Sequence, residues 1–158
     1  MKRKDAGAGE TAIDLRFGSV FMQTQITLAS DIVEVEWTLP SGNWWRVHLV
    51  SAPVSASLAL APIEVFCEFY FGTVPLMKLI GPTDRPGPGF NGNVQFALGV
   101  PVLDNVARNN VMLPLPDIFV PGGTRVVLIL YTTAGVISVP PAFLIARAVA
   151  NMPEDDSA

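Results

Sequence analysis

Residues 31–50, DIVEVEWTLPSGNWWRVHLV, decide the fold class of this chain. The first part, VEVEWTL, alternates apolar with polar residues, which is the two-residue period of a strand with one buried face. The break that follows, LPSGN, has Pro40 at the second position of a type I turn and Gly42 where a three-residue loop needs a left-handed residue. Because WWRVHLV then resumes the alternation, the stretch predicts a bulged β-hairpin.

One register satisfies both strands of the predicted hairpin. A slip by a single residue would move the whole apolar set into water, because successive side chains point to opposite faces of a sheet. We therefore expect one buried face and one charged face. The buried face pairs Trp37 with Trp45, Val35 with Val47 and Val33 with Leu49, and the charged face pairs Glu36 with Arg46 and Glu34 with His48.

The composition predicts a single domain with an apolar excess. A chain of 158 residues can bury a core that needs neither a disulfide nor a metal ion. It is 50% hydrophobic and 15% charged, against a usual charged share of about 25%. A lone monomer would expose much of this excess. The net charge of −4 disfavours a nucleic-acid groove, and the single cysteine, Cys67, lies in an apolar run that predicts a buried, inert thiol.

Short alternating segments separated by turns recur along the chain. Segment 126–146 has no charge and could cross a bilayer, but Gly135 and Pro140-Pro141 divide it, so we expect two buried strands and no membrane contact. About nine or ten strands in an all-β, antiparallel, jelly-roll-like two-sheet sandwich are predicted. An immunoglobulin-type sandwich stays possible, although its Cys, Trp, Cys spacing is absent. The expected organisation is a flexible N-terminal arm (1–11), one sandwich domain (12–151) and an acidic C-terminal tail (152–158).

Residues 63–71, IEVFCEFYF, form the strongest single strand pattern. One face is apolar, whereas the other carries Glu64, Phe66, Glu68 and Tyr70. Two aromatic rings between two carboxylates are too apolar for a free surface and too charged for a core. This composition predicts a contact with a subunit or partner, or with the chain's own loops.

Two segments interrupt the strand pattern. Residues 81–93, GPTDRPGPGFNGN, are too rich in glycine and proline for regular structure. Phe90 lies near the tip of this loop and is either a partner contact or one packed aromatic residue on a solvated loop. Residues 101–110 are predicted to form a helical turn, since Asp104 and Arg108 have helical spacing.

The sequence offers little catalytic chemistry. His48 is the only histidine, and no serine or cysteine lies in an elbow-type motif such as GxSxG. Glu34 and Glu36 would lie about 6.8 Å apart along a strand, near the spacing of an inverting glycosidase. However, an arginine opposite Glu36 would stabilise the charged form, which is wrong for a general acid. Because metal-ligand spacings and a P-loop are also absent, we expect no catalytic residues, no metal, no cofactor and no enzymatic activity.

Three segments carry a resemblance: WWRVHLV, then LPDIFVPGGTRVVLILY, then the closing FLIARAV. In the order of its strands and the residue pattern along them, the chain resembles small β-sandwich or jelly-roll virion structural proteins of bacteriophages, of the capsid-associated, decoration or head-tail type. The resemblance covers most of the chain but includes no diagnostic motif, so no functional residue is transferred. It implies a homo-oligomer that binds other virion proteins, located in the virion and made in the host cytoplasm.

Three hypotheses follow from these observations. The leading one is a non-enzymatic virion structural protein that binds itself and other virion proteins, with no small-molecule substrate, specific nucleic acid or membrane. The alternatives are a carbohydrate-binding β-sandwich, in which Trp44, Tyr70 or Phe90 stacks on sugar rings, and a glycosidase that uses Glu34 and Glu36. The candidate partner contacts are Trp44, Arg46, Glu64, Phe66, Glu68, Tyr70 and Phe90.

Overall fold

The computed structural model describes residues 3–4, 10–14, 18–81, 86–100, 103–105 and 110–149. Ten of the strands in this part of the chain have five or more residues, and five have two or three. The strands are β1 Arg3–Lys4, β2 Glu10–Asp14, β3 Ser19–Thr24, β4 Leu28–Ser30, β5 Ile32–Thr38, β6 Trp44–Ala56, β7 Glu64–Phe71, β8 Val74–Ile80, β9 Asn91–Leu98, β10 Leu103–Asn105, β11 Asn110–Leu115, β12 Val120–Pro121, β13 Arg125–Tyr131, β14 Ile137–Val139 and β15 Phe143–Val149.

The strands form two sheets packed face to face. The larger, the β6 sheet, has the order β1-β2-β3-β15-β6-β9-β11-β10. Strands β12 and β14 pair with the two ends of β6, and β4 pairs with β14. The smaller, the β13 sheet, has the order β5-β13-β7-β8. Among the described pairings only β9 with β11 is parallel. The predicted all-β two-sheet sandwich is confirmed.

Eight of these strands form a jelly roll. Strands β3, β5, β6 and β7 pair antiparallel with β15, β13, β9 and β8, respectively. These are the pairings of one long hairpin, which is wound so that its strands alternate between two sheets. Each sheet then closes through one further pairing, β15 with β6 and β13 with β7. The order of pairing confirms the jelly-roll expectation.

The core lies between the two sheets. Residues that point inward alternate with outward residues along each wall, and the inward ones are almost fully buried. The largest of them are Trp37, Phe69 and Phe96, each at most 1% exposed. Trp45 on β6 is 4% exposed, so both tryptophans predicted for the core belong to it.

The predicted hairpin of residues 31–50 is wrong. β5 lies in the β13 sheet, where Trp37 lies opposite Val126, whereas β6 lies in the other sheet between β15 and β9. The segment between them crosses from one sheet to the other. Alternation alone cannot distinguish these arrangements, because Trp37 and Trp45 face a common core whether they share a sheet or lie on opposite walls.

A β-bulge at His48 changes the buried face of β6. Its neighbour β15 pairs Ala146 with Val47 and Ile145 with Leu49, so His48 is the extra residue. The alternation shifts by one position beyond this point. Leu49, predicted for the core, is therefore only half-buried, and Val50 is fully buried.

Glycines hold the crossing segment in place. The backbone N–H of Gly122 donates to the carbonyl of Asn43 at 2.7 Å, and the N–H of Gly123 donates to the carbonyl of Leu39 at 2.8 Å. A Cβ on Gly122 would lie 2.5 Å from the carbonyl oxygen of Pro40. The turn before β13 thus packs directly on the segment that joins the sheets.

Three other predictions concern residues 101–110, the N-terminal arm and the C-terminal tail, and the structure describes only part of these segments. The helical turn predicted for 101–110 is wrong at Leu103–Asn105, which pairs as β10 with β11, because the hairpin partner supplies hydrogen bonds that helical spacing cannot reveal. Its remaining residues before 110 lie outside the described residues. Within the predicted N-terminal arm, Arg3–Lys4 pairs with β2. The predicted tail, 152–158, also lies outside the described residues.

The uncharged segment 126–146 is divided between strands. It comprises most of β13, all of β14 and the first residues of β15, so the segment forms largely buried strands as predicted, but three strands share it and not two. In the described part of the chain, no helix is long and apolar enough to cross a membrane.

Candidate interaction surfaces

The outer face of the β13 sheet carries most of the predicted contact residues. On β7, Val65, Cys67 and Phe69 point into the core, and the alternating partners point outward and are half-buried. This alternation is the one that the sequence predicts. The structure therefore brings together on one surface Glu64, Phe66, Glu68 and Tyr70.

Apolar side chains cross this outer face in a row. Phe66 lies at the centre, with Ile129 of β13 on one side and Ile80 of β8 on the other. In the adjacent row, Tyr131 lies next to Ile32 of β5. Ile80 is 68% exposed at the β8 margin of the sheet and Ile32 is 48% exposed at the β5 margin, so each of the two rows ends in a solvent-exposed isoleucine, on opposite margins.

Charged groups lie directly beside the apolar row. The ammonium of Lys78 lies 3.3 Å from a carboxylate oxygen of Glu68 and 4.6 Å from the centre of the Phe66 ring. The hydroxyl of Tyr70 donates a hydrogen bond to Glu68, and this bond raises the pKa of the phenol. Arg125 lies over the other side of this cluster, 5.4 Å from the centre of the Tyr70 ring. The face is therefore a mixture of rings and ion pairs.

The predicted charge pairs of the hairpin are wrong. Glu36 is paired with Arg125 of β13 at 3.3 Å, and Arg46 lies in the other sheet. Glu34, like Glu36, is exposed along the β5 margin of the outer face. The error has the same cause as the hairpin error, because β13 and not β6 is the neighbour of β5.

Another set of exposed apolar residues, at the edge of the same sheet, was not predicted. The ends of β7 and β8 on either side of the turn that joins them expose Phe71 by 46%, Val74 by 57% and Leu76 by 41%, at the edge of the β13 sheet. The sequence signal was present in VPL, but its alternation is weak because Pro75 interrupts it. The pairing of β7 with β8 shifts between Phe69 and Tyr70, which makes Leu76 the extra residue of a β-bulge.

A second surface lies at one end of the β6 sheet. Arg46 on β6 lies opposite Arg147 on β15, and like charges in this position repel. The guanidinium of Arg46 lies 2.7 Å from the carboxylate of Asp117 and 5.4 Å from the centre of the Phe119 ring. These residues border an open cavity of about 280 Å³, which we call the Arg46 groove. It is lined by Arg46, Phe119, Arg147, Ala148 and Val149.

His48 lies beside the Arg46 groove. Burial and the charges of Arg46 and Arg147 lower the pKa of its imidazole, and Asp117 acts in the opposite direction. Among the described residues, the buried Nε2 of His48 and the buried Nε of Arg46 have no hydrogen-bond partner. The surroundings of this histidine are therefore electropositive.

The last two predicted contacts differ in exposure. Trp44 is 38% exposed at the start of β6, where its ring is available to a partner. Phe90 is only 4% exposed and packs in the core, so it does not belong to an exposed surface. The turn at Gly87 accounts for this, because the N–H of Phe90 donates to the Gly87 carbonyl and the chain then enters β9.

The described residues offer little for catalysis or metal binding. Cys67 is fully buried, and burial, followed by the nearby Glu68 charge, raises the pKa of its thiol. A raised pKa removes the thiolate that a nucleophile needs. Within the described ranges, no group of three or more His, Cys, Asp or Glu side chains could hold a metal ion.

Comparisons with known proteins are sparse. No protein-family model matches the chain, and no curated protein matches it. Among solved structures, a chain of infectious bursal disease virus Gx strain is 7% identical with a TM-score of 0.38, covering 94% of this chain. A chain of the Gt strain of the same virus is 10% identical with a TM-score of 0.38, covering 90% of this chain. This chain spans 32% of each viral chain, and a TM-score of this size establishes nothing about function.

Proposed function

We propose that this chain is a non-enzymatic structural protein of a virion that works as a homo-oligomer and binds neighbouring virion proteins. The observation that carries the proposal is the outer face of the β13 sheet. There, Ile32 and Ile80 are open to solvent at the two margins of a broad sheet surface, and Phe66 on β7 is half-buried beside an ion pair.

The chemistry of this face fits a protein partner. The fully buried centre of a protein interface is apolar and rich in aromatic residues, and its rim is polar. The row from Ile129 through Phe66 to Ile80 would supply such a centre, with Lys78 and Glu36 at the rim. A broad sheet face suits another flat protein surface better than a small molecule, which normally binds in a concave pocket.

The jelly-roll fold is compatible with a virion structural protein but does not by itself establish this role. Jelly rolls build viral capsid domains, but they also build lectin domains and cupins, so fold alone does not establish function. The virion location and synthesis in the host cytoplasm rest on the fold together with the sequence resemblance to bacteriophage virion proteins. The role as capsid, decoration or head-tail component is part of the same proposal.

Two of the three aromatic side chains that the carbohydrate-binding alternative requires are not free to stack on a sugar. Phe90 is buried, and Arg125 lies over the ring of Tyr70. Trp44 alone remains open for stacking on a sugar. Sugar binding by the wild-type protein that disappears in Trp44→Ala would favour this alternative over the structural role.

The proposal is tested by measuring the mass of the purified protein. Light scattering, native mass spectrometry and negative-stain microscopy should find a closed oligomer, ring or shell. Ile80→Asp and Ile32→Asp should weaken assembly at least about tenfold in dissociation constant, because each would bury an unpaired charge at the interface.

Leu58→Asp is the matched control, since Leu58 is 87% exposed on the segment between β6 and β7, outside the outer face. It should assemble like the wild type. A monodisperse wild-type monomer that does not associate with purified particles would contradict the proposed function. Equal weakening by all three substitutions would move the interface away from the β13 sheet.

A further inference from the structure

The β13 sheet has two open edges. β5 and β8 are its outermost strands, and within the described residues each pairs with a single neighbour in this sheet, β13 and β7 respectively. The main-chain N–H and C=O groups on the far side of an edge strand have no strand beside them. They can therefore pair with a strand from another chain.

A hydrogen bond at the end of β8 identifies these main-chain groups. The N–H of Gly81 donates to the carbonyl of Val65 on β7 at 2.6 Å. Because the direction of main-chain hydrogen bonding alternates along an antiparallel strand, the main-chain groups of Ile80 and Lys78 point away from β7. The open edge of β8 is thus formed by these two residues.

The same reasoning applies to β5. The N–H of Leu39 donates to the carbonyl of Thr124 at 2.9 Å, so the main-chain groups of Glu34 and Ile32 point away from β13. The N–H of Ile32 lies 3.4 Å from the hydroxyl of Ser30, which is longer than an ordinary hydrogen bond. Each edge therefore presents alternate donors and acceptors to an incoming strand.

We propose that β8 pairs antiparallel with β5 of a second copy, so that the β13 sheet continues from one molecule into the next. This inference rests on the proposed homo-oligomer and identifies its interface. Lys78 then lies opposite Glu34 of the second copy, and Ile80 lies opposite Ile32 of the second copy. Each of these pairs would exchange both main-chain hydrogen bonds.

The side chains on the outer face fit this register. The side chain of Lys78 is 54% exposed and Glu34 is exposed, so opposite charges would meet across the interface. Ile80 and Ile32, both exposed, would cover each other and join the two apolar rows into one. A slip by two residues would instead place Ile80 opposite Glu34. The side chains therefore select one register.

Two-fold pairings of the same edges fit less well. Two copies of β5 would bring Glu34 and Glu36 against the same carboxylates of the other copy, and like charges repel. Two copies of β8 would place Lys78 opposite Lys78 or Ile80, with no carboxylate from the edge of the other copy. The pairing of β8 with β5 is head-to-tail. It leaves one open edge on each side, so further copies add until a ring closes or a filament grows.

Disulfide cross-linking tests the pairing. Within one molecule Ile32 and Ile80 lie at opposite edges of the four-stranded sheet, at least about 14 Å apart, which is too far for a disulfide. In the proposed pairing their Cα atoms would lie about 5.5 Å apart, within disulfide range. The variant I32C/I80C should therefore form disulfide-linked multimers on a non-reducing gel. The native Cys67 is fully buried and does not compete.

The matched control is E34C/I80C, which places cysteines on the same two strands but out of register. The diagonal distance is about 7–8 Å, so this variant should cross-link at least about tenfold more slowly than I32C/I80C. The single variants I32C and I80C should give linked dimers when mixed and none when separate, because the interface is head-to-tail.

Several outcomes would overturn the pairing. Equal cross-linking of the two double variants, or none in either, would show that the edges do not meet in this register. Linked dimers of I80C alone would assign the interface to two copies of β8. The mass of the wild-type protein separates these results from a failure of the proposed function. An oligomer whose cysteine variants do not cross-link refutes only the edge pairing, whereas a monomer refutes both.

Discussion

At the residue scale, His48 gives the protein a defined response to pH. Burial, Arg46 and Arg147 lower the pKa of the folded imidazole below the ordinary value of 6.5. As pH falls, the unfolded chain therefore takes up this proton before the folded chain does. The contribution of His48 to stability is full above pH 6.5 and is lost as pH falls through the lower folded pKa.

We predict that His48→Gln flattens the pH dependence of the free energy of unfolding between roughly pH 5 and 7. Urea midpoints measured across this range check the prediction. Because the chain has no other histidine, no second imidazole contributes to this window. A wild-type midpoint that rises as the pH is lowered would contradict it.

The two core tryptophans differ in hydrogen bonding. The indole N–H of Trp45 donates to the carbonyl of Pro40 at 2.7 Å, whereas the buried N–H of Trp37 has no partner in the part of the chain that the structure describes. Trp45→Phe should therefore cost about 1 kcal/mol more than Trp37→Phe, because only the former leaves a carbonyl without its donor. Trp45→Ala should cost about 3–5 kcal/mol. Denaturant unfolding of the three variants measures these differences, and equal costs for the two phenylalanine variants would contradict the first.

At the scale of elements, the critical feature is the crossing between β5 and β6. Its carbonyls at Asn43 and Leu39 accept hydrogen bonds from Gly122 and Gly123. The crossing and the turn before β13 are therefore one structural unit, although about 80 residues separate them in the sequence. This unit keeps β5 in one sheet and β6 in the other.

We predict that Gly122→Ala destabilises the protein by about 1–3 kcal/mol, because the new Cβ would meet backbone oxygens of Pro40 and Asn43 that cannot move aside cheaply. Gly87→Ala is the control, since nothing lies within 4 Å of a Cβ there. Its effect should stay within about 0.5 kcal/mol. Thermal and urea unfolding of both variants provide the comparison, and a neutral Gly122→Ala would mean that the crossing tolerates displacement.

At the scale of the whole molecule, the two ends of the chain hold each other in place. β3 pairs with β15, and the hydroxyl of Thr24 bonds to the carbonyl of Ala142, 118 residues away. The same wrapping places Cys67 at the centre of the β13 sheet, flanked by β13 and β8. Exposure of this thiol therefore requires the sandwich to open.

We predict that a thiol reagent does not modify Cys67 in the native protein and that the rate of modification rises with denaturant as steeply as global unfolding does. Mass spectrometry of quenched samples gives the rate, and tryptophan fluorescence gives the global transition. Modification with a much smaller denaturant dependence would reveal local opening of the β7–β8 edge, contrary to the prediction.

The sequence by itself determined the fold class and most of the buried faces. The alternation of VEVEWTL and EVFCEFYF places Trp37, Cys67 and Phe69 inside, because a strand has only two faces and one of them must be apolar. The same alternation predicted which residues form the outer face of β7. The jelly roll was predicted from the number of strands and from their turns.

Only the tertiary structure decided which strands are neighbours. Alternation shows which face of a strand is buried, but it does not identify the neighbouring strand. It therefore could not predict that Glu36 pairs with Arg125 and not with Arg46. The bulge at His48 likewise depends on a strand distant in sequence. The opposition of Arg46 and Arg147, about one hundred residues apart, has the same origin. The local sequence pattern determines which face of each strand is buried, whereas the pairing of strands depends on long-range packing of the whole sandwich.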